Sequence, residues 1–389
     1  MPTRYRADLQ GVRALAVGAV IAYHLRPDLV PGGFVGVDVF FVLSGFFITS
    51  SLLPEQSNQR IQLRAFWARR IRRLMPAAVV LILFVVLATM ILAPVTSWSE
   101  TLWQAVASGT SWENWYLAAQ SVDYLRAAVP PSPLQHFWSL SVEEQFYLAW
   151  PFVLAGLALV ARARRLRTWR TASIVLFVVF LGWSIIETAA SPSTAYFSTA
   201  TRAWELLLGC IVALFARELV LKAWTASVLF VSGMLGVIAS IIFLSGTLPF
   251  PSAVALLPTL GATAIVISGF GERPAWMTFP LRWRPVGYLG DISYSLYLWH
   301  WPIIVLMTPW VAVGPRLPGW AVLVALAASV TTAAASYELI ERRFLGRGRI
   351  LARRPVSTPT IRSGYRLGAI LLATLLVGTG LGLANQTRV

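Results

Sequence analysis

Apolar runs of about twenty residues, the length that crosses a bilayer core as a helix, recur along the whole chain. They restrict the fold severely. In hydrocarbon every backbone N–H and C=O must be satisfied within the segment, so an isolated run of this kind folds as a helix. The composition agrees: 57% of the 389 residues are hydrophobic and 12% are charged, against about 25% charged in a soluble domain. The expected fold class is all-α, a polytopic transmembrane helix bundle of about eleven spans. The runs place spans at 12–29, 34–53, 75–93 and 141–160, then four more centred near Phe180, Leu208, Met234 and Ala262. Three further spans follow at 286–307, 319–340 and 367–383. The first run reads as a retained span. Tyr23, His24, Leu25, Arg26 and Pro27 occupy the place where a signal peptide would carry small residues.

A net charge of +16 would suit a nucleic-acid partner if the charge formed one patch. It does not. Basic residues fill alternate loops: Arg4 and Arg6, then 60–73, 162–170, Arg217 with Lys222, 273–284 and 342–354. Arginine in alternate loops is the positive-inside pattern, which excludes nucleic acid and puts the amino terminus inside and the carboxyl terminus outside. The long segment 94–140 then lies outside, with Arg126 its lone cation beside Glu100, Glu113 and Asp123. Trp98, Trp103, Trp112, Trp115 and Tyr116 give it the aromatic content of a membrane–water boundary, so an interfacial helix is expected there. The single cysteine, Cys210, falls in a span and offers neither a disulfide nor a thiolate metal site. No metal is expected, because the three histidines lie on separate elements without ligand spacing. No internal repeat of the transporter kind is visible.

With this orientation the ionisable residues sort by depth. His24 lies beyond the middle of the first span, toward the outside, and Asp38 comes early in the returning one. Glu143 and Glu144 open the fourth span after His136, in "HFWSLSVEEQFYL". Arg202 and Glu205 enter the sixth, in "TRAWELLLG", and His300 lies past the middle of the ninth. Ionisable side chains within spans are rare and face a partner or a cavity, so His24 reads as functional. The others have plainer readings beside the functional one. Carboxylates suit a helix start, His136 could be a surface loop residue, and His300 a packed boundary residue. On the inner side Arg13 begins the first span, and Arg69, Arg70, Arg72 and Arg73 precede the third. On a helix Arg69 would share a face with Arg72 and Arg73, and guanidinium forks so placed suit phosphate. Taken alone, that stretch reads as a topology anchor or a lipid-phosphate contact. A cationic inner mouth and an acid–base outer mouth together suggest a substrate with phosphates inside and hydroxyl chemistry outside.

Several stretches resemble, in order, the hallmarks of the acyltransferase 3 family. They are "YRADLQGVRALAVGAVIAYH", "GGFVGVDVFFVLSGFFIT", "FWARRIRRLMPA", "HFWSLSVEEQFYL", "TRAWELLLG", "LGDISYSLYLWHWP" and "YELIERRF". The resemblance runs to about Phe344. It implies an integral-membrane O-acyltransferase of the bacterial cytoplasmic membrane, acting on an envelope polysaccharide, glycolipid or similar hydroxyl acceptor. The donor it implies is cytoplasmic acyl-CoA, with acetyl-CoA favoured, as a co-substrate and not a bound cofactor. His24 matches the family's essential histidine. Arg13 and the stretch Arg69–Arg73 match residues implicated in donor binding, with two registers open for an R-x-x-R pair. Larger members carry an SGNH hydrolase-like domain after an eleventh span, whereas this sequence stops at "ANQTRV". The expected domains are 1–345, an acyltransferase 3-like transmembrane region; 346–366, a basic cytoplasmic linker; and 367–389, an additional transmembrane helix with a short outer tail.

The mechanism expected is direct transfer, with His24 as general base. A carboxylate would orient the ring: Asp38 first, Glu143 or Glu144 second. His136, Arg202, Glu205 and His300 complete the outer cluster as substrate-binding candidates. The rival from another class is a transporter or flippase for an anionic or lipid-linked solute, with His24 and Asp38 as a proton relay. A scaffold for an envelope assembly complex is a third reading, and it would tolerate loss of His24.

Overall fold

The computed structural model describes residues 6–53, 61–121, 131–160, 165–216, 218–311, 316–345 and 358–386. Expectations for Arg4, Arg60, Asp123, Arg126, Arg162, Arg164, Arg217, Arg347, Arg349, Arg353 and Arg354 fall outside those residues. The described chain is helical, with one isolated bridge between Leu221 and Gly271. In order the helices are α1 Ala7–Leu25, α2 Gly36–Leu52, α3 Leu63–Leu92, α4 Trp98–Gly109, α5 Glu113–Ser121 and α6 Phe137–Val160. Next come α7 Arg165–Ala190, α8 Pro192–Phe197, α9 Thr199–Phe215, α10 Ala223–Phe243, α11 Leu256–Ser268 and α12 Ala275–Arg282. Last are α13 Arg284–Asp291, α14 Ser293–Val311, α15 Gly319–Ser336, α16 Arg342–Leu345 and α17 Thr358–Gln386.

Six helical stretches among the described residues are long and apolar enough to cross a membrane: Gly33–Leu52, which ends with α2, Leu63–Leu92 (α3), Arg165–Ala190 (α7), Ala223–Phe243 (α10), Gly319–Phe344, which runs from α15 into α16, and Ile361–Gly380 in α17. The other expected spans coincide with α1, α6, α9, α11 and α13–α14. Of these, α9 and α11 are shorter, at 17 and 13 residues, and α1 and α9 carry buried ionisable groups within the span, Arg13 and the Arg202–Glu205 pair. A helix enclosed by protein finds partners for such groups and does not need the hydropathy that lipid demands.

Several boundaries differ from expectation for local reasons. The first helix ends at Leu25, not near 29, because Pro27 disfavours helical geometry at the residue before it. The third starts at Leu63, so the arginines expected in a loop lie on the helix itself; arginine is a good helix former. The ninth is broken at Ile292 into α13 and α14, in a "GDIS" sequence whose Asp and Ser compete for backbone hydrogen bonds. In place of the one helix expected, the stretch forms two, α4 and α5, joined through Ser111 at φ 62°. Residues 358–366, expected in the linker, form the first turns of α17.

The chain divides into two compact units. One comprises Arg4–Gln62 with Val142–Asp291, the other Leu63–Ser141 with Ile292–Val389 and the first three residues. In the first, Leu9, Val12 and Ala16 of α1 pack with Val39, Val42, Leu43 and Phe46 of α2, Val212 of α9 and Ile265 of α11. In the second, Leu81, Ile82 and Val85 of α3 meet Leu102 and Ala105 of α4, Leu298 of α14 and Leu375 of α17.

Helix α7 shows how the solvent reverses the usual pattern. Its buried residues are Trp169, Ser173, Ser184 and Thr188, while Val175, Val178, Val179 and Ile186 are exposed. Lipid is as apolar as leucine, so small residues that allow close approach are favoured between helices and large apolar ones outside. The α2–α9 crossing takes this furthest. A Cβ on Gly45 would lie 1.8 Å from the Leu206 carbonyl oxygen, and one on Gly209 2.0 Å from that of Val42. Only glycine permits that reciprocal approach. Gly45→Ala is therefore expected to cost about 1–3 kcal/mol, despite alanine's better helix propensity. Gly156→Ala, at a position open to 4 Å, provides the control, with thermal unfolding in detergent as the readout.

Candidate active site

In the first unit, Arg202 is the centre of a buried ion group. Its Nη1 donates to Asp38 Oδ1 at 2.9 Å and to Glu205 Oε1 at 3.2 Å, and its Nε donates to the Tyr196 carbonyl at 3.2 Å. Asp38, Arg202 and Glu205 are all 1% exposed or less. The guanidinium lies over two rings, 5.0 Å from the Tyr196 centroid and 4.9 Å from that of Phe250. The site is rich in acceptors, for Asp38 Oδ2 and Glu205 Oε2 have no hydrogen bond among the described residues. Glu205 follows Arg202 by three residues on α9, and Asp38 comes from the first turn of α2. The group thus pins together the two helices that the glycines bring close.

An aromatic series runs from this group to His24. Phe250 packs edge-on to Phe34 at 4.9 Å, Phe34 packs on Tyr23 at 5.5 Å, and Tyr23 tilts against the His24 ring at 5.4 Å. His24 sits half-buried in the last turn of α1, where an imidazole also suits the helix dipole. Glu143 on α6 accepts from Ser44 of α2 at 3.0 Å and from Tyr147 one turn on. Glu144, half-buried, follows it on α6. Arg13 is buried and donates to Gln10 at 3.1 Å. His24, Asp38, Glu143, Glu144, Arg202, Glu205 and Arg13 thus belong to one unit.

The start of α1 carries a second ion group. Asp8 accepts from Arg6 and from Arg273, each at 2.8 Å, and Arg273 also donates to Ser268 at 2.9 Å. Burial by itself would push the Asp8 carboxyl up, but the charges and hydrogen bonds of Arg6 and Arg273 outweigh it and hold it at about 2.

The second unit holds the other two histidines, both buried, and brings them together. The ring centroids of His136 and His300 are 5.9 Å apart. The Tyr297 hydroxyl donates to the His136 carbonyl at 3.1 Å and shares a 2.6 Å hydrogen bond with Ser139. His300 Nδ1 lies 2.7 Å from the Tyr297 carbonyl and 3.2 Å from that of Leu296. Carbonyls only accept, so the proton is on Nδ1 and Nε2 is the acceptor when the ring is neutral. Arg69, Arg70, Arg72 and Arg73 are in this unit too, on α3, with the Arg70 guanidinium 5.9 Å from the Phe66 ring centre. Among the described residues no cluster of His, Cys, Asp and Glu could hold a metal.

Residues 6–338 match the model of the acyltransferase domain. The chain belongs to this acyltransferase family. The peptidoglycan O-acetyltransferase OatA of Listeria monocytogenes is 36% identical, over 87% of this chain and 55% of its own length. The O-acetyltransferase OatA of Staphylococcus aureus is 35% identical, over 87% of this chain and 57% of its own. YrhL of Bacillus subtilis is 34% identical and aligns with 99% of this chain, which corresponds to 63% of that relative. The chain thus spans less than two thirds of the length of these curated relatives. No solved structure matches it.

Sequence reasoning missed the residues that frame these groups. Tyr297, three residues before His300 on one helix, was open to a spacing argument. Tyr196, Phe34 and Phe250 were not, since nothing in their local sequence marks them as neighbours of Arg202.

Two expectations follow. Arg202→Met leaves two buried carboxylates without their cation, a loss of about 3–5 kcal/mol, whereas Asp38→Asn keeps the Arg202–Glu205 pair and costs less; chemical unfolding in detergent compares them. Asp8 has a folded-state pKa below its usual value of 3.8, so its stabilisation is present above that value and lost as pH falls through 3.8 toward 2. The loss is about 2 kcal/mol. Asp8→Asn should flatten the acid limb of the stability–pH curve, measured by thermal unfolding.

Proposed function

We propose that the protein is a membrane O-acyltransferase. It moves an acyl group, acetyl in keeping with the names of its relatives, from cytoplasmic acyl-CoA to a hydroxyl of an envelope carbohydrate. The observation that carries this reading is the family match over residues 6–338, with relatives named for O-acetylation of peptidoglycan. In the proposed reaction the hydroxyl oxygen attacks the thioester carbonyl, and the new C–O bond forms as the C–S bond breaks. His24 takes the hydroxyl proton as general base and returns it to the departing thiolate, work typically worth 10²–10⁴-fold.

Asp38 is the first candidate to orient the imidazole. Its Oδ1 is committed to Arg202, so the orienting oxygen would be Oδ2. Glu143, held by Ser44 and Tyr147, is the second, with Glu144. Arg13 and one register of Arg69–Arg73 bind the donor's phosphates, since bidentate forks recognise such oxygens. His136 and His300 serve the acceptor, and His300 Nε2 is suited to accept from a sugar hydroxyl. An amino terminus inside and about eleven spans complete the reading, in a bacterial cytoplasmic membrane.

His24→Ala is expected to lower acetyl transfer by at least about a hundredfold while thermal unfolding and acetyl-CoA binding stay near wild type. Transfer of labelled acetyl groups to a peptidoglycan acceptor, in proteoliposomes, gives the measurement. A folded His24→Ala protein with wild-type turnover would overturn the assignment.

A further inference from the structure

The acyl-transfer reading uses Arg13 and Arg69–Arg73. A different set, the exposed Arg64, Arg362 and Arg366, lines a solvent-open cavity of about 370 Å³ together with Ile361 and Tyr365. The cavity lies where α3 and α17 begin, within one compact unit. The two helices run parallel there, since Gly364 faces Ala68, Gly368 faces Ile71 and Gly378 faces Leu83. The Tyr365 hydroxyl donates to the Arg64 carbonyl at 3.3 Å and ties the two helices together beside the pocket.

Parallel helices put two amino-terminal ends side by side, each carrying positive partial charge from its unsatisfied N–H groups. Such ends favour acidic residues, yet neither helix has one in its first turn. Arg64 lies in the first turn of α3, and Arg362 and Arg366 lie one turn apart near the start of α17. Among the described residues no carboxylate pairs with any of the three. Like charges gathered on two positive helix ends repel each other; water and salt screen part of that cost at these exposed side chains, and a bound anion removes the remainder.

We propose that this cavity is a phosphate-recognition site. Guanidinium forks and helix amino termini both suit phosphate oxygens. The volume is that of a small-ligand pocket, large enough for a phosphate with the group that carries it. That group is either the phosphorylated nucleotide end of coenzyme A or the phosphodiester of an anionic lipid. The site stands apart from the acyl-transfer reading, because its test measures binding and no turnover.

The test uses the full chain in nanodiscs, comparing wild type with R362Q/R366Q and with R64Q. One arm titrates coenzyme A calorimetrically in phosphatidylcholine discs. The other measures retention of phosphatidylglycerol by native mass spectrometry. Removal of charge-assisted contacts should weaken one of the two probes about tenfold or more, and the probe affected identifies the source of the phosphate. Thermal unfolding checks that each variant is folded; if the double variant is not, R64Q alone carries the comparison. Wild-type binding of both probes by the folded variants would overturn the proposal, as would failure of the wild-type protein to bind either.

Discussion

A guanidinium shut away from water has to be neutralised by its neighbours, and the way Arg202 meets that demand organises the unit around it. Asp38 must come from α2, Glu205 from the next turn of α9, and the Tyr196 carbonyl from the chain just before α9. Holding all three within hydrogen-bond range fixes the approach of α2 and α9. Gly45 and Gly209 permit that approach by leaving no Cβ between the backbones. Ion group and glycine contact are two halves of one constraint. Hydrophobic burial supplies little drive between helices in lipid, so contact geometry and polar partners carry the association.

The same logic accounts for what faces outward. Val175, Val178, Val179 and Ile186 would be core residues in a soluble protein, and here they are exposed on α7. Serine and threonine take the inner positions of that helix because they are small; Ser173 also returns its hydroxyl to the Trp169 carbonyl, whereas the hydroxyls of Ser184 and Thr188 find no partner among the described residues. The apolar runs therefore mark helices, while the inner residues of those runs decide which helices touch.

Family membership and the geometry answer different questions. The match over residues 6–338 places the chain among acyltransferases. The structure adds that one unit holds His24 with the Arg202 ion group, and the other holds the His136–His300 pair with the arginines of α3. Asp38 is drawn into an ion group that also engages Glu205, so the carboxylate expected first to orient His24 has a structural duty beside any chemical one. His300 has its Nδ1 proton fixed by main-chain carbonyls, which leaves one nitrogen with a defined role.

The sequence by itself determined the helical class, because apolar runs of this length have no other stable form in hydrocarbon. It also determined which ionisable residues stand out, since His24, Asp38, Arg202, Glu205 and His300 interrupt otherwise apolar runs. Spacing along one helix made the Arg202–Glu205 pair legible, three residues apart. What only the tertiary structure decided is which residues meet from distant parts of the chain. Asp38 reaches Arg202 across 164 positions and Ser139 reaches Tyr297 across 158. Tyr365 meets Arg64 in the same way, from a stretch that composition alone presents as a basic linker. Periodicity reports the face a residue occupies on its own helix, but the partner across that face is set by how helices cross, and no local pattern encodes the crossing.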